Sequence, residues 1–179
     1  MEFTLFYRGE LKANGNKDHK HEIRKAFHPQ LNVLWNQPPL NSYRQYLDHS
    51  NQLSIIRNSG LFQFAPLITE RFNLVAGIEI ILLRPEAPGS IISKGGDIDN
   101  RIKTLLDALK SPSINELPNG IVPGTSETPF FCLTEDDNLI TDLSIKTDRL
   151  LLHSSNTAEV VLLIKTKVKQ IAVPWTGFR

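Results

Sequence analysis

The feature that most constrains the fold is the apolar run at residues 73–83, Asn-Leu-Val-Ala-Gly-Ile-Glu-Ile-Ile-Leu-Leu. Its density of β-branched residues is typical of a strand in the centre of a sheet. A second run of this kind occupies residues 158–168, and the aromatic segment at residues 3–7 has the composition of a first strand. The chain is therefore expected to build a β-sheet from segments that lie far apart in sequence.

The spacing of apolar residues predicts a helix directly after a glycine-containing loop at residues 84–96. The apolar side chains that share one face of this helix are Ile98, Ile102, Leu105, Leu106 and Leu109. A second helix is predicted at residues 21–27. Pro29 should kink it or start a new helix that ends before Pro38-Pro39.

The remaining segments predict short strands and one irregular excursion. Residues 130–133 and 139–146 are short strand candidates, and residues 53–64 are a weaker one with a turn at Gly60. Residues 111–129 contain four prolines and two glycines, which predicts an irregular insertion. The order β, α, β, α, β, β predicts an α+β fold with a mixed β-sheet and helices on one face. Residues 1–179 are expected to form a single domain.

Composition excludes several classes of protein. With 20 basic and 19 acidic residues the net charge is +1, which excludes a uniformly basic polymer binder. Cys132 is the only cysteine, so an internal disulfide and a multi-cysteine metal site are excluded, and a reducing compartment is indicated. No window is apolar enough to span a membrane, and the first residues lack a secretion signal. A cytoplasmic location is therefore expected.

Two carboxylates lie at the start of the helix predicted at residues 98–109. In an extended backbone Asp97 and Asp99 lie on one side, roughly 7 Å apart, as oxygen ligands of a divalent cation do. Lys103 follows Asp99 by one helical turn and shares its face. This combination suits phosphodiester hydrolysis. The alternative is a helix cap followed by a solvated charge stripe that includes Asp107.

A second acidic run, Glu135-Asp136-Asp137-Asn138, lies between two short apolar segments. Asp and Asn favour turns, so this run could simply be a hairpin turn. Three consecutive carboxylates nevertheless repel each other unless they are solvated or metal-bound. If the turn lies beside the start of the helix, one of its carboxylates would complete a metal site.

The combined motif resembles the RusA family of Holliday junction resolvases. The matching residues are Asp97-Ile98-Asp99-Asn100-x-x-Lys103, then Asp107-Ala108-Leu109, and the later pair Asp136-Asp137. The match covers residues 97–146, and the segment between Lys103 and Asp137 is longer than is usual in the family.

The resemblance implies a RusA-like fold, an intertwined homodimer and a Mg²⁺-dependent endonuclease that cleaves branched DNA, with Mn²⁺ as a substitute ion. It implies that Asp97, Asp99 and Asp137 bind the metal and that Lys103 is the catalytic lysine. Asn100 and Asp136 would support the site. The alternatives are a nuclease of the same fold with another structured DNA or RNA as substrate, and a non-catalytic nucleic-acid-binding scaffold.

Basic and polar residues outside the motif are candidates for contacts with nucleic acid. These candidates are Lys12, Asn14, Asn16, Lys17, Lys20, Arg24 and Lys94. A solvated loop and helix face would explain the same pattern.

Other polar and aromatic residues favour structural roles. The spacing of His19, His21 and His28 favours structural or exposed positions over a metal site. The alternating lysines at 165, 167 and 169 favour a solvated strand face over a phosphate track. Trp175 and Phe178 favour a packed tail over stacking on bases.

Overall fold

The computed structural model describes residues 1–85, 98–152 and 158–171. The described strands are β1 (Glu2–Glu10), β2 (Arg57–Ser59), β3 (Phe62–Ile68), β4 (Leu74–Arg84), β5 (Phe130–Thr134), β6 (Ile140–Arg149) and β7 (Glu159–Gln170). The described α-helices are α1 (Lys17–Trp35) and α2 (Ile98–Leu109). Short 3₁₀ turns span Leu40–Leu47, Glu70–Phe72, Ile114–Glu116 and Asp137–Leu139.

The larger sheet has four strands in the order β1-β7-β4-β6. β7 runs antiparallel to both β1 and β4, whereas β4 and β6 are parallel. The two most apolar runs of the sequence therefore become the two inner strands, which confirms the central position predicted for residues 73–83. This mixed sheet confirms the α+β class.

A second, three-stranded sheet in the order β2-β3-β5 corrects the expectation of a single sheet. β3 and β5 are parallel, and Phe64 lies opposite Phe130 in their register. These two rings, Phe62 and Cys132 form a buried apolar cluster. The thiol of Cys132 is therefore part of the packing. The strand predicted at residues 130–133 is confirmed as β5, and the weaker candidate at residues 53–64 contains β2, a turn at Gly60 with a φ of 58°, and the start of β3. Sequence periodicity missed only the pairing of these strands into a separate sheet.

Helix α1 begins earlier than predicted and continues through Pro29 without a break. It begins after Asn16, whose side chain accepts a hydrogen bond from His19 N–H at 2.9 Å. A proline inside a helix costs about 3 kcal/mol. Burial of apolar side chains on both sides of Pro29, including Phe27 and Leu31, offsets this cost, since each contributes roughly 1.5–3 kcal/mol.

The helices cover one face of the larger sheet. Alternate residues of β4, including Ile78, Ile80 and Leu82, are buried against them. On the opposite face Lys165 and Lys167 pair with Glu2 at 3.6 and 3.2 Å. These exposed ion pairs support the prediction that the lysines of β7 lie on a solvated strand face. None of the described helices is long and apolar enough to cross a membrane.

Two buried histidines of α1, His21 and His28, pack against β5 and the residues just before it. His28 Nδ1 accepts a hydrogen bond from Phe131 N–H at 2.9 Å, so Nε2 is the nitrogen that donates to Ser126 O at 3.0 Å. The His21 ring packs between those of Phe62 and Phe130. His28 therefore attaches the insertion to the core, and His21 packs within the aromatic cluster, so both have structural roles.

Stability should fall in mild acid because of His21. Burial, aided by the charges of Lys25 and Arg24 and opposed by those of Glu127 and Glu22, lowers its pKa below the usual 6.5. As the pH falls below 6.5 the unfolded chain therefore binds a proton that the folded chain does not. We expect His21→Leu to remove up to about 1.4 kcal/mol per pH unit from the slope of unfolding free energy between pH 7 and 5.

Urea unfolding at each pH measures this slope, and His49→Gln is the control because His49 is exposed. An unchanged slope in His21→Leu would show that His21 is not the group that titrates.

Candidate active site

The first turn of α2 presents part of the predicted catalytic motif. Asp99 is exposed there, and its carboxylate accepts a hydrogen bond from Asn100 N–H at 2.8 Å. The carboxylate thus bonds within the first turn and still faces solvent. Asp97 and Lys94 lie outside the described residues.

A polar cleft of about 240 Å³ lies where α2 meets the loop before α1. Its lining residues are Asn14, Gly15, Lys20, Asn100, Lys103, Thr104 and Asp107. The structure thus brings two predicted phosphate-contacting residues, Asn14 and Lys20, into one cleft with Asn100 and Lys103.

The close approach of this loop to α2 depends on Gly15. Its N–H donates to Thr104 Oγ1 at 2.9 Å, and a Cβ at this position would lie 2.7 Å from Thr104 Cγ2. Asn14, one residue earlier, has the left-handed φ of 54°, a conformation that asparagine tolerates better than most residues. The sequence Asn14-Gly15 therefore shapes the wall of the cleft.

The charges in the cleft are unevenly compensated. Lys20 Nζ pairs with Asp107 Oδ2 at 2.7 Å. Lys103 is exposed and has no ion pair within the described residues. Lys103 is therefore the ammonium in this cleft that is available to a ligand.

Arg24 corrects one of the predicted contacts with nucleic acid. It is only 1% exposed, and its Nη2 donates to Asp107 O at 2.8 Å. A guanidinium buried between α1 and α2 stabilises their packing and cannot reach a phosphate at the surface.

The other predicted contacts lie around the start of α1. Lys12 is exposed and pairs with Glu10 at 3.4 Å, Asn16 is occupied as the helix cap, and Lys17 is exposed. Contact of these residues with nucleic acid stays a prediction.

In the acidic turn at residues 135–138, one of the three carboxylates is neutralised by residues from distant segments. Glu135 forms an ion pair with Arg57 and accepts hydrogen bonds from Thr69 Oγ1 at 2.5 Å and Glu70 N–H at 3.2 Å. Asp136 accepts from Asn138 N–H at 3.2 Å. Glu135 is thus committed to the fold, which leaves Asp136 and Asp137 exposed.

The carboxyl groups of Asp136 and Asp137 share a hydrogen bond that raises the pKa of Asp137 and lowers that of Asp136. Lys110 is the cation whose charge acts on both groups. Burial lowers the pKa of Lys110, but Glu116, Asp137 and Asp107 outweigh it, so the net shift is upward. Lys110 was not predicted, because only the tertiary fold places its ammonium near these carboxylates.

Asp99 and Asp137 lie near opposite ends of α2 within one chain. Lys110 directly follows α2, and its backbone forms an isolated parallel β-bridge with Thr134, three residues before Asp137. A helix rises about 1.5 Å per residue, so Asp99 and Lys110 are about 16 Å apart along its axis.

The sheet leads to the same separation. β6 begins opposite Ala76, near the start of β4, which places Asp137 at that end of the sheet. Arg101, near the start of α2, donates a hydrogen bond to Leu11 O, just after the end of β1. The end of β1 pairs with the start of β7, which in turn pairs with the end of β4. The start of α2 therefore lies near the end of β4. The two carboxylates are therefore too far apart to bind one ion from a single chain.

Within residues 1–85, 98–152 and 158–171 no group of three His, Cys, Asp or Glu side chains is placed to hold a metal ion. The described donors of one chain thus do not form a complete magnesium site. None of the protein-family models, curated proteins or solved structures compared with the chain gave a match.

Proposed function

We propose that this protein is a metal-dependent endonuclease of the RusA type that cleaves branched DNA. The observation that carries the proposal is the uncompensated ammonium of Lys103, one helical turn after the exposed carboxylate of Asp99, on a polar cleft. A carboxylate for a cation and an ammonium for a phosphate are the groups that phosphodiester hydrolysis requires.

The cleft accounts for how a DNA strand is held. Lys103 and the amide groups of Asn14 and Asn100 supply donors for phosphate oxygens. Lys20 is neutralised by Asp107, so it contributes less to binding. Bound Mg²⁺ would activate water and neutralise charge on the reacting phosphate.

A two-fold homodimer would complete the metal site that one chain leaves incomplete. β6 is an edge strand in the described sheet, and its Leu143 and Ile145 side chains are 41% and 36% exposed. Antiparallel pairing of β6 with its copy would place the start of one β6 beside the end of the other. Asp137 of one subunit would then approach the end of the sheet where α2 of the partner subunit begins.

This arrangement assigns Asp97 and Asp99 from one subunit and Asp137 from its partner to each metal. It also gives two symmetry-related sites, as paired cuts in a branched substrate require. The long insertion at residues 111–129 is compatible with it, because the composite site does not need α2 and β5 to be joined by a short turn.

A cleavage panel tests the proposal. Labelled four-way junction, flap, duplex and single-stranded DNA, with matched RNAs, are incubated with Mg²⁺, Mn²⁺ or EDTA. We expect cleavage of a branched DNA with either metal and none in EDTA. Preferential cleavage of an RNA or of another DNA would identify a nuclease of the same fold with a different substrate.

Thermal unfolding with and without metal separates the nuclease from a scaffold. Binding of an ion to the folded state raises the melting temperature. If no substrate is cleaved and neither metal changes the melting temperature, the endonuclease proposal is wrong and the scaffold alternative replaces it.

A further inference from the structure

We propose that a second pocket on this protein binds an unpaired nucleobase of the substrate. This inference rests on the proposed nuclease function and specifies the substrate as one with unpaired bases. The pocket, which we call the aromatic pocket, encloses about 530 Å³ and is lined by Trp35, Leu40, Tyr43, Tyr46, Phe72 and Leu74, among others. It lies between the end of α1, the 3₁₀ turn Leu40–Leu47 and the start of β4.

The rings of this pocket form an open stacking surface. Tyr43 and Tyr46 have ring centroids 6.3 Å apart with planes 21° apart, and Tyr46 lies 4.9 Å from Phe72. Tyr43 is 49% exposed, although it borders an apolar pocket. Proteins that bind single-stranded nucleic acid use exposed aromatic rings in this way, because every base offers a flat π-face.

Trp35 forms part of the apolar wall behind these rings, since it lines the pocket and is only 3% exposed.

The charge around the pocket suits a nucleotide rather than a neutral ligand. Arg44 lies between the two tyrosines of the pocket in sequence, and Arg71 precedes Phe72. Arg44 donates to Asn36 Oδ1 at 2.7 Å and Arg71 to Gln52 O at 2.6 Å, both neutral acceptors. No ion pair between described residues involves either of these two arginines, so they remain available to the backbone phosphates.

The position of the pocket connects it to the acidic turn. Phe72 lines the pocket, while Thr69 and Glu70, only two or three residues earlier, are hydrogen-bonded to Glu135. Three residues span at most about 10 Å. A base held in the aromatic pocket therefore keeps its own strand close to Asp136 and Asp137.

Fluorescence anisotropy in EDTA tests this inference without any cleavage. The probes are a labelled DNA bubble with an unpaired thymine segment and a fully paired duplex of equal length. We expect Tyr43→Ala to raise the Kd for the bubble roughly five- to a hundredfold and to leave the Kd for the duplex unchanged. Replacing the unpaired thymines by abasic sites should cause a similar loss in the unmodified protein.

Two control variants keep the test specific. Tyr43→Phe retains the ring and should retain tight binding of the bubble. Phe6→Ala removes a ring of similar exposure, 48%, that does not line the pocket, and it should have no effect. An equal loss for bubble and duplex, or no loss in Tyr43→Ala, would overturn the base-binding inference. If the protein binds the bubble more tightly than the duplex but cleaves no substrate in the panel above, the base-binding inference stands and the nuclease proposal is wrong.

Discussion

Asp99→Asn is expected to reduce metal-dependent cleavage by roughly a thousandfold or more without changing the melting temperature in the absence of metal. The substitution removes the charge that would bind the cation. Asparagine keeps an Oδ1 that can accept the hydrogen bond from Asn100 N–H, so the first turn of α2 keeps its support. Single-turnover cleavage rates and thermal unfolding in EDTA measure the two effects.

Asp18→Asn is the matched control, because Asp18 is also an acidic residue in the first turn of a helix. It should cleave at the rate of the unmodified protein. Full metal-dependent activity in Asp99→Asn would show that this carboxylate is not a ligand, and the proposed mechanism would have to be abandoned.

The parts of the fold that could be predicted are those whose pattern is local. Residues 73–83 and 158–168 are long enough for their apolar character to identify strands, and residues 98–109 show a complete helical period. Pro29 misled the prediction because a local rule about proline is weaker than the burial of Phe27 and Leu31 on either side. The small sheet escaped prediction because its pairing of Phe64 with Phe130 joins distant segments.

In the candidate site, too, local features could be predicted and contacts between distant segments could not. The spacing of Asp99, Asn100 and Lys103 is a property of one helix, so the sequence was sufficient to place them near each other. Glu135 belongs to a turn that looked uniformly acidic, yet Arg57, from a distant strand, neutralises it. No local pattern could have revealed that partner.

The separation of Asp99 from Asp137 also has a non-local cause. It follows from the parallel pairing of β4 with β6, which places the start of β6 at one end of the sheet and the start of α2 at the other. A sequence motif can predict which residues bind the metal, but it cannot predict how many chains supply them. That number is open to a direct experiment.

Mixing two inactive variants should restore cleavage if each metal is shared between subunits. In a heterodimer of Asp99→Asn and Asp137→Asn, one composite site carries both substitutions and the other carries neither. After subunit exchange an equimolar mixture should therefore regain about a quarter of the active sites of the unmodified protein. Because each heterodimer has one working site, its product on a branched substrate should be a nick rather than paired cuts.

The matched control is a mixture of Asp99→Asn with Lys103→Met. Both residues lie on α2, so every site in that heterodimer lacks one of them and the mixture should stay inactive. Gel analysis of nicked and fully cut products after exchange gives both results. If the Asp99→Asn and Asp137→Asn mixture also stays inactive while co-purification of differently tagged subunits shows that heterodimers form, the two carboxylates do not act across the interface. The recovery of nicking in the first mixture alone therefore distinguishes a site built by two subunits from a site within one chain.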